Sequence, residues 1–258
     1  MKILFVGDVV GAPGCACFAG LLPGLKKEYG IDLTIVNYEN ASAANGVMPA
    51  AAQSLLDAGA DVLTGGNHSF GKKQMYDFLE ENERVLRPLN FPAACPGHGR
   101  CDVDMGACTV TVLNLQGCAF MEALKSPFEA LDEELKKGTG KIVFVDFHAE
   151  ATSEKRALGF YADGRISALC GTHTHVQTAD EQILPQGTGY MTDAGMTGVV
   201  DSILGAEKQI AIDRFLTKLH IPFELAEGES ALCGAVLDID EKTGKCRTIE
   251  RICRTFTE

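Results

Sequence analysis

The sequence predicts an α/β fold built around a largely parallel β-sheet. Over the first 82 residues, an apolar run of strand type is followed by a run with helical spacing three times in succession. Polar residues follow each apolar run, at the edge where open α/β sheets bind ligands. After Pro88 the runs become shorter and alternate with Gly-containing turns. This change indicates added antiparallel strands, as a second sheet packed on the first would require.

The amino-terminal part contains three predicted strand–helix units. The strands are Lys2–Asp8, Leu33–Asn37 and Asp61–Thr64, and the helices are Cys17–Tyr29, Ala50–Ala58 and Lys72–Asn82. Pro49 precedes the second helix, at a favoured first-turn position. Val9–Gly14 and Ala41–Gly46 are predicted loops, and the first lacks the glycine spacing of a dinucleotide-binding fingerprint. This order predicts parallel strands joined by right-handed crossovers.

The carboxyl-terminal part mixes hairpins with further strand–helix units. Its predicted strands are Val103–Met105 and Ala107–Leu115 around Gly106, Lys141–Phe147, Ile166–Cys170, Gln182–Leu184, Gly189–Thr192, Pro222–Leu225, and Ala231–Asp240 with Arg247–Cys253. Its predicted helices are Glu129–Lys137, Thr152–Phe160 and Ala206–Leu219. Because no linker, repeat or low-complexity segment interrupts the chain, residues 1–258 are predicted to form a single domain.

Composition limits the classes of partner. A net charge of −12 argues against strong, non-specific nucleic-acid binding, which needs a basic surface. A phosphate substrate therefore requires local positive charge from a metal or a few basic side chains. No apolar run approaches the length of a membrane span, and no signal peptide is visible, so we expect a cytoplasmic protein without membrane association. Its ten scattered cysteines are expected to be free thiols.

Residues with metal-binding chemistry recur where predicted strands end. They are Asp8, Glu39, Asn40, Asn67, His68, His148, His173 and His175. Each has an ordinary explanation by itself, such as a helix cap, a turn or a core histidine. It is harder for all of these explanations to hold together, because the residues terminate separate buried strands. In an extended segment His173 and His175 would face the same side.

The chemistry of this set indicates a transition-metal site. Carboxylate, imidazole and amide oxygen together suit Mn, Fe or Zn. The set is too large for one ion and suits two ions that share a bridging carboxylate, an arrangement found in enzymes that cleave phosphate esters.

Four segments carry a resemblance to a known family. The order acid, acid, Gly-Asn-His, His and Gly-x-His-x-His resembles the calcineurin-like metallophosphoesterase superfamily. More narrowly, the segments Ile3–Gly11, Glu39–Asn40, Asp146–Lys155 and Gly171–Asp180 resemble the bacterial YmdB family. The resemblance implies a sandwich of two mixed β-sheets flanked by helices. It also implies a cytoplasmic, dinuclear phosphodiesterase for cyclic nucleotides (cAMP-like or 2′,3′-cyclic) or related small-molecule phosphodiesters.

The resemblance also implies a role for each site residue. One metal would take Asp8, Glu39, Asn40 and His175, and the other would take Glu39, Asn67, His148 and His173, with Glu39 bridging. A hydroxide between the ions would attack phosphorus, and His68, free of metal, would protonate the leaving group. Iron is the first expectation for the metals, with manganese or zinc as alternatives. Homo-oligomerisation is a further expectation that rests on the resemblance alone.

The chain departs from the family pattern at several positions. Val10 stands where the superfamily usually has a histidine ligand, and Asn40 looks like its replacement. Cys15, Tyr38 and Phe70 are also unusual, and Tyr38 either offers a stacking face for a base or serves packing. Two other functions remain open. The first is a metal-dependent phosphomonoesterase or nucleotidase, and the second is a regulatory protein with a structural metal site.

Overall fold

The computed structural model describes residues 1–42 and 46–257. Within these ranges the chain forms two mixed β-sheets with helices on their outer faces. The strands are β1 Lys2–Val6, β2 Asp8–Val9, β3 Leu33–Asn37, β4 Val62–Thr64, β5 Arg100–Asp104, β6 Thr109–Gln116, β7 Ile142–His148, β8 Ala168–Thr172, β9 Gln182–Ile183, β10 Gly189–Met191, β11 Met196–Val199, β12 Ser230–Ile239 and β13 Cys246–Phe256. The helices are α1 Gly11–Tyr29, α2 Pro49–Asp57, α3 Met75–Glu81, α4 Pro127–Lys136, α5 Thr152–Ala162 and α6 Lys208–Thr217.

Each sheet combines parallel and antiparallel pairs. The first has the order β2-β11-β12-β1-β3-β4, with β13 paired to β12. In it β1, β3 and β4 run parallel, and β12 joins β1 in the antiparallel sense. The second has the order β5-β6-β7-β8-β10-β9, in which β6, β7, β8 and β10 run parallel. The carboxyl ends of the parallel strands therefore form one edge in each sheet.

Side chains that alternate between the two faces of each strand form three hydrophobic core clusters. Ile3 and Phe5 of β1 pack with Phe144 of β7 in the layer between the sheets, where the rings of Phe5 and Phe144 lie 4.9 Å apart. Leu4 and Val6 face the other way and pack against α1 and α2. The outer face of the second sheet likewise packs against α4 and α5. Because strand side chains alternate between faces, each sheet is buried on both sides.

Most of the predicted elements are present with shifted ends. The sandwich of two mixed sheets, the hairpin around Gly106 and the helix that begins at Pro49 are confirmed. The strand predicted at Ile166–Cys170 runs instead from Ala168 to Thr172. Of the loop predicted at 41–46, residues 43–45 lie outside the described residues.

Three predictions about elements were wrong. The loop predicted at Val9–Gly14 is largely helix, because α1 begins at Gly11, whose φ of +61° makes the turn from β2. Pro222–Leu225 is not a strand, since Leu225 makes only an isolated bridge to Ala206 and Pro222 has no N–H to donate. Strand β11 was missed, because it is four residues long and includes a glycine.

All ten cysteines are free thiols, as expected. In the described ranges, no helix has both the length and the apolar character that crossing a membrane requires.

Candidate metal centre

The predicted ligands come together where strands of both sheets end. Asp8 begins β2, while Glu39 and Asn40 follow β3. His148 is the last residue of β7 in the second sheet, and His173 directly follows β8. Asp8, Glu39 and His148 are at most 1% exposed, so their polar groups lie in a desolvated edge between the two sheets.

Four predicted ligands converge on one point. The Nε2 atom of His148 lies 3.0 Å from Oδ1 of Asn67, 3.1 Å from Oε1 of Glu39 and 3.0 Å from Nδ1 of His173. Glu39, His148 and His173 offer ligand atoms within 4.8 Å of one another. This is the compact set of nitrogen and oxygen donors that borderline transition metals favour.

The other predicted ligands lie beside this set. Nδ2 of Asn40 is 3.0 Å from Oε1 of Glu39 and 3.1 Å from Nε2 of His175. Oδ1 of Asp8 is 3.8 Å from Nε2 of His175. The carboxylate of Glu39 therefore stands between the two groups of donors, where a bridging ligand would be.

The residues present fit a bound cation. Oδ1 of Asp8 is buried and has no hydrogen-bond partner among the described residues. A buried, unpaired carboxylate oxygen is costly unless a cation compensates it. Rotation of the Asn40 amide by half a turn would turn its oxygen, in place of Nδ2, toward Glu39 and His175. The orphaned oxygen and the clustered donors are together consistent with two adjacent metal positions.

The geometry predicted for His173 and His175 was wrong, although both reach the site. They do not lie in an extended segment, since β8 ends at Thr172 and their φ values are +100° and +63°. These left-handed residues form a turn that directs both rings toward the site. Such conformations are strained and persist only where the surroundings hold them.

A buried ion pair holds this turn. Nζ of Lys155 lies 2.7 Å from Oδ2 of Asp193 and donates to the Thr172 carbonyl at 2.8 Å. The same Asp193 oxygen accepts from the N–H and hydroxyl groups of Thr174. His175 is held separately, because its Nδ1 donates to the Leu204 carbonyl at 3.1 Å and leaves Nε2 for the site.

A hydrogen-bond chain behind His148 sets its ring orientation. Nδ1 of His148 lies 2.9 Å from Oγ1 of Thr172, which donates to Asp146 at 2.7 Å. Asp146 also accepts from Thr64 and Asn37. Sequence reasoning assigned no role to Asp146, Thr172, Lys155 or Asp193. The sequence carried a signal for two of them. Asp146 is an acid within the apolar run of β7, and Lys155 lies on the apolar face of α5, in line with Leu158 and Ala162.

The charges of the centre are strongly coupled. Burial opposes ionisation of Glu39, but the charge and hydrogen bond of His148 outweigh it and lower the pKa of Glu39 to about 2. Burial likewise lowers the pKa of His148, but Glu39, Asp8 and Asp146 outweigh it and raise that pKa to about 9. Burial and the nearby His148 lower the pKa of His173 to about 3. When no cation is bound, protonated His148 therefore supplies the positive charge among these carboxylates.

The absence of a side chain at Gly66 leaves space for the side chains of Glu39 and His148. A Cβ atom at this position would lie 2.1 Å from Oε2 of Glu39 and 2.4 Å from Nε2 of His148. Both distances are far below van der Waals contact. Any side chain at position 66 would therefore displace Glu39 and His148, so this position requires glycine. The backbone N–H of His68 in turn donates to Oε2 of Glu39 at 3.1 Å.

A cavity of about 610 Å³ opens onto the centre. Glu39, Asn40, His173 and His175 line it together with His68, which places the predicted proton donor beside the ligands. Tyr38 does not offer a stacking face, because it is fully buried in the core. Of the two interpretations of Tyr38, packing is therefore the correct one.

Comparison with known proteins identifies the family of this chain. A sequence model described as "YmdB-like protein" matches residues 4–252. The chain is 48% identical over 254 residues to the 2′,3′-cyclic-nucleotide 2′-phosphodiesterase of Bacillus subtilis, covering 98% of this chain and 96% of that protein.

Two solved structures are similar along almost the whole chain. A Thermus thermophilus protein described as hypothetical has 40% identity and a TM-score of 0.94, with 99% of each chain covered. A Mycoplasma pneumoniae protein described as a novel phosphatase has 32% identity and the same TM-score of 0.94, with 99% of this chain and 93% of that one covered. The chain therefore belongs to the YmdB-like family, within the metallophosphoesterase fold.

Proposed function

We propose that this protein is a metal-dependent phosphodiesterase that hydrolyses 2′,3′-cyclic nucleotides or closely related phosphodiesters. The observation that carries the proposal is the convergence of Glu39, Asn67, His148 and His173 beside the orphaned oxygen of Asp8. The substrate class is supported by the name of the Bacillus subtilis relative. The protein is a hydrolase of phosphoric diesters.

We assign the ligands to two ions. Asp8, Glu39, Asn40 and His175 would hold one, and Glu39, Asn67, His148 and His173 would hold the other. When bound, such ions polarise a phosphoryl oxygen and lower the pKa of water, so that a nucleophile is available at neutral pH. Mixed oxygen and nitrogen donors suit iron, manganese and zinc alike, and iron is the first candidate because of the family resemblance.

His68 acts on the leaving group. In the reaction an oxygen from water forms a bond to phosphorus, one ester P–O bond breaks, and the departing alkoxide takes a proton. His68 lines the cavity, its backbone N–H contacts Glu39, and it belongs to neither ligand set, so we assign the donation of that proton to its imidazole. The buried Asp146–Thr172–His148 chain and the Lys155–Asp193 pair hold the surrounding groups in place.

Elemental analysis and hydrolysis measured on the same sample test this proposal. We expect about two metal equivalents and activity on bis(p-nitrophenyl) phosphate that chelation removes. Asp8→Ala and His173→Ala should lose this activity, while Glu81→Ala and His98→Ala, matched changes at exposed positions outside the site, should keep it. Full activity in both site variants would refute the assignment.

The same assay separates the alternatives. A preference for p-nitrophenyl phosphate over the bis-ester would favour a phosphomonoesterase or nucleotidase. Two bound metals without hydrolysis of either ester would favour a regulatory protein with a structural metal site.

A further inference from the structure

An exposed aromatic wall faces the metal centre. Helix α6 and residues 223–225 contribute this wall to the lining of the 610 Å³ cavity. Phe215 and Phe223 belong to this wall and remain 73% and 50% exposed. Exposed aromatic side chains that share a cavity with charged site residues are a common mark of ligand binding. A metal centre needs only the phosphate of a substrate, so this wall is available to another part of the molecule.

A second cavity continues from this wall. It has a volume of about 390 Å³ and shares Phe215, Phe223 and Ala211 with the first. Arg214, Lys218 and His220 line it. Because the two cavities share both rings, a path from the metal ligands to the basic groups runs past Phe215 and Phe223.

The basic groups are free to bind an anion. The guanidinium of Arg214 lies 3.8 Å from the ring centre of Phe223, and Nζ of Lys218 lies 5.7 Å from that of Phe215. Neither cation has an ion-pair partner among residues 1–42 and 46–257, although the chain carries a net charge of −12. The nearby Asp213 accepts a hydrogen bond from Gln209. This is local positive charge of the kind that a second phosphate requires.

We propose that the substrate is longer than one nucleotide and is a short oligoribonucleotide that ends in a 2′,3′-cyclic phosphate. This inference rests on the proposed function. The terminal phosphate lies at the metal ligands, and the terminal base stacks on Phe215. The preceding phosphate binds Lys218 and Arg214, whose guanidinium packs on Phe223. A single cyclic nucleotide would leave the basic end of the path unused. Stacking on aromatic rings tolerates any base, so we expect little base specificity.

Matched substrates and matched variants test the inference. Kinetics are measured with a cyclic mononucleotide and with a dinucleotide that ends in the same cyclic nucleotide. We expect kcat/KM to favour the dinucleotide by about tenfold, the effect of one charge-assisted hydrogen bond. Arg214→Gln combined with Lys218→Gln should abolish the preference. The dependence of log kcat/KM on log salt should also flatten by roughly 0.7 for each phosphate group that the variant no longer neutralises.

Two further variants isolate charge and stacking. Lys27→Gln combined with Lys242→Gln removes the same charge from exposed positions outside both cavities and should retain the preference. Phe215→Leu keeps an apolar side chain without an aromatic face and should raise KM for both substrates by roughly fivefold or more.

The results that would overturn this inference differ from those that would overturn the proposed function. Hydrolysis of both substrates at equal kcat/KM, or a preference that survives the Arg214/Lys218 change, would overturn the inference and leave the phosphodiesterase intact. Absence of metal-dependent hydrolysis of either substrate would overturn both. A change of molecular mass in the Arg214/Lys218 or Phe215 variants, with substrate preference unaltered, would identify the wall as an interface between copies and would also overturn the inference.

Discussion

At the candidate metal centre, the space between neighbouring atoms limits which residue can occupy a position, in addition to the need for ligand groups. Gly66 shows this, because its missing Cβ leaves the space that Glu39 and His148 occupy. The motif Gly-Asn-His therefore combines a steric requirement with a proposed ligand, Asn67, and a proposed proton donor, His68. A sequence pattern alone identifies the ligand types but not the reason for the glycine.

Substitution of Gly66 provides a test of this steric requirement. Gly66→Ala should lower activity by about a hundredfold or more, because displaced ligands misplace the reacting groups, and it should reduce the bound metal. Gly24→Ala in α1 is the control, since a Cβ there meets nothing within 4 Å. It should retain activity and gain roughly 0.5–1 kcal/mol of stability. Normal metal content and activity in Gly66→Ala would show that the site tolerates the side chain.

The role of His68 makes a prediction about leaving groups. His68→Gln should keep both metals and lower kcat by about 10²- to 10⁴-fold with a cyclic nucleotide, whose leaving group is a poor alkoxide. The loss should be much smaller with bis(p-nitrophenyl) phosphate, because nitrophenolate departs without a proton. Equal losses on both substrates would contradict a role as proton donor.

The raised pKa of His148 predicts that the stability of the metal-free protein and the strength of metal binding change in opposite directions with pH. Its pKa is raised from 6.5 to about 9 in the folded state. A raised histidine pKa stabilises the fold below pH 6.5, and this stability is lost as the pH rises toward 9. Metal binding must displace the same proton, so it should strengthen over this range. Thermal unfolding of chelator-treated and loaded protein between pH 6 and 9 measures both trends. A melting temperature of metal-free protein that rises across this window would contradict the pKa.

At the scale of elements, the turn after β8 depends on an ion pair from elsewhere in the chain. Lys155 lies in α5, and Asp193 lies between β10 and β11. Both side chains are essentially buried, with exposures of 0% and 1%. Together with Thr174 they hold a turn that contains two left-handed histidines. The position of His173 and His175 thus depends on packing between three segments.

Removal of one partner of this pair should be costly. Lys155→Met leaves the Asp193 carboxylate buried without its cation and should lower the free energy of unfolding by about 3–5 kcal/mol. Activity should fall as well, because the turn loses its support. The double variant Lys155→Met with Asp193→Leu should recover part of the stability but not the activity. Denaturant unfolding and kcat measure the two effects, and recovery of both in the double variant would refute a positioning role.

At the scale of the molecule, the site joins the two sheets. Asp8, Glu39 and Asn67 belong to the first sheet and its connections, while His148 and His173 come from the second. The layer of side chains between the sheets is also continuous, as the contact of Phe5 with Phe144 shows. We therefore propose that residues 1–258 form a single domain whose two sheets unfold together.

Metal removal tests this cooperativity. Metal-loaded protein should unfold in one transition, and chelation should lower the melting temperature without splitting the transition, because ligands that bind only the native state stabilise all of it. Calorimetry of both forms measures this. Two resolved transitions in either form would mean that the sheets unfold as separate units.

Much of the fold was predictable because it follows from local patterns. Strands β1, β3 and β7 read as continuous apolar runs, since parallel strands are buried on both faces. The short strand β11 and the bridge at Leu225 were not predictable in the same way. Their backbone partners lie far away in the chain, and their own residues carry little strand pattern.

The sequence by itself determined the chemical identity of the candidate ligands and their place at strand ends. Composition and alternation are local properties, and parallel strands bring their carboxyl ends to a common edge. Only the tertiary structure decided how His173 and His175 turn toward that edge, which buried groups orient them, and that an aromatic and basic path leads away from it. These features depend on contacts between distant segments, and such contacts form only when the sheets and helices pack together.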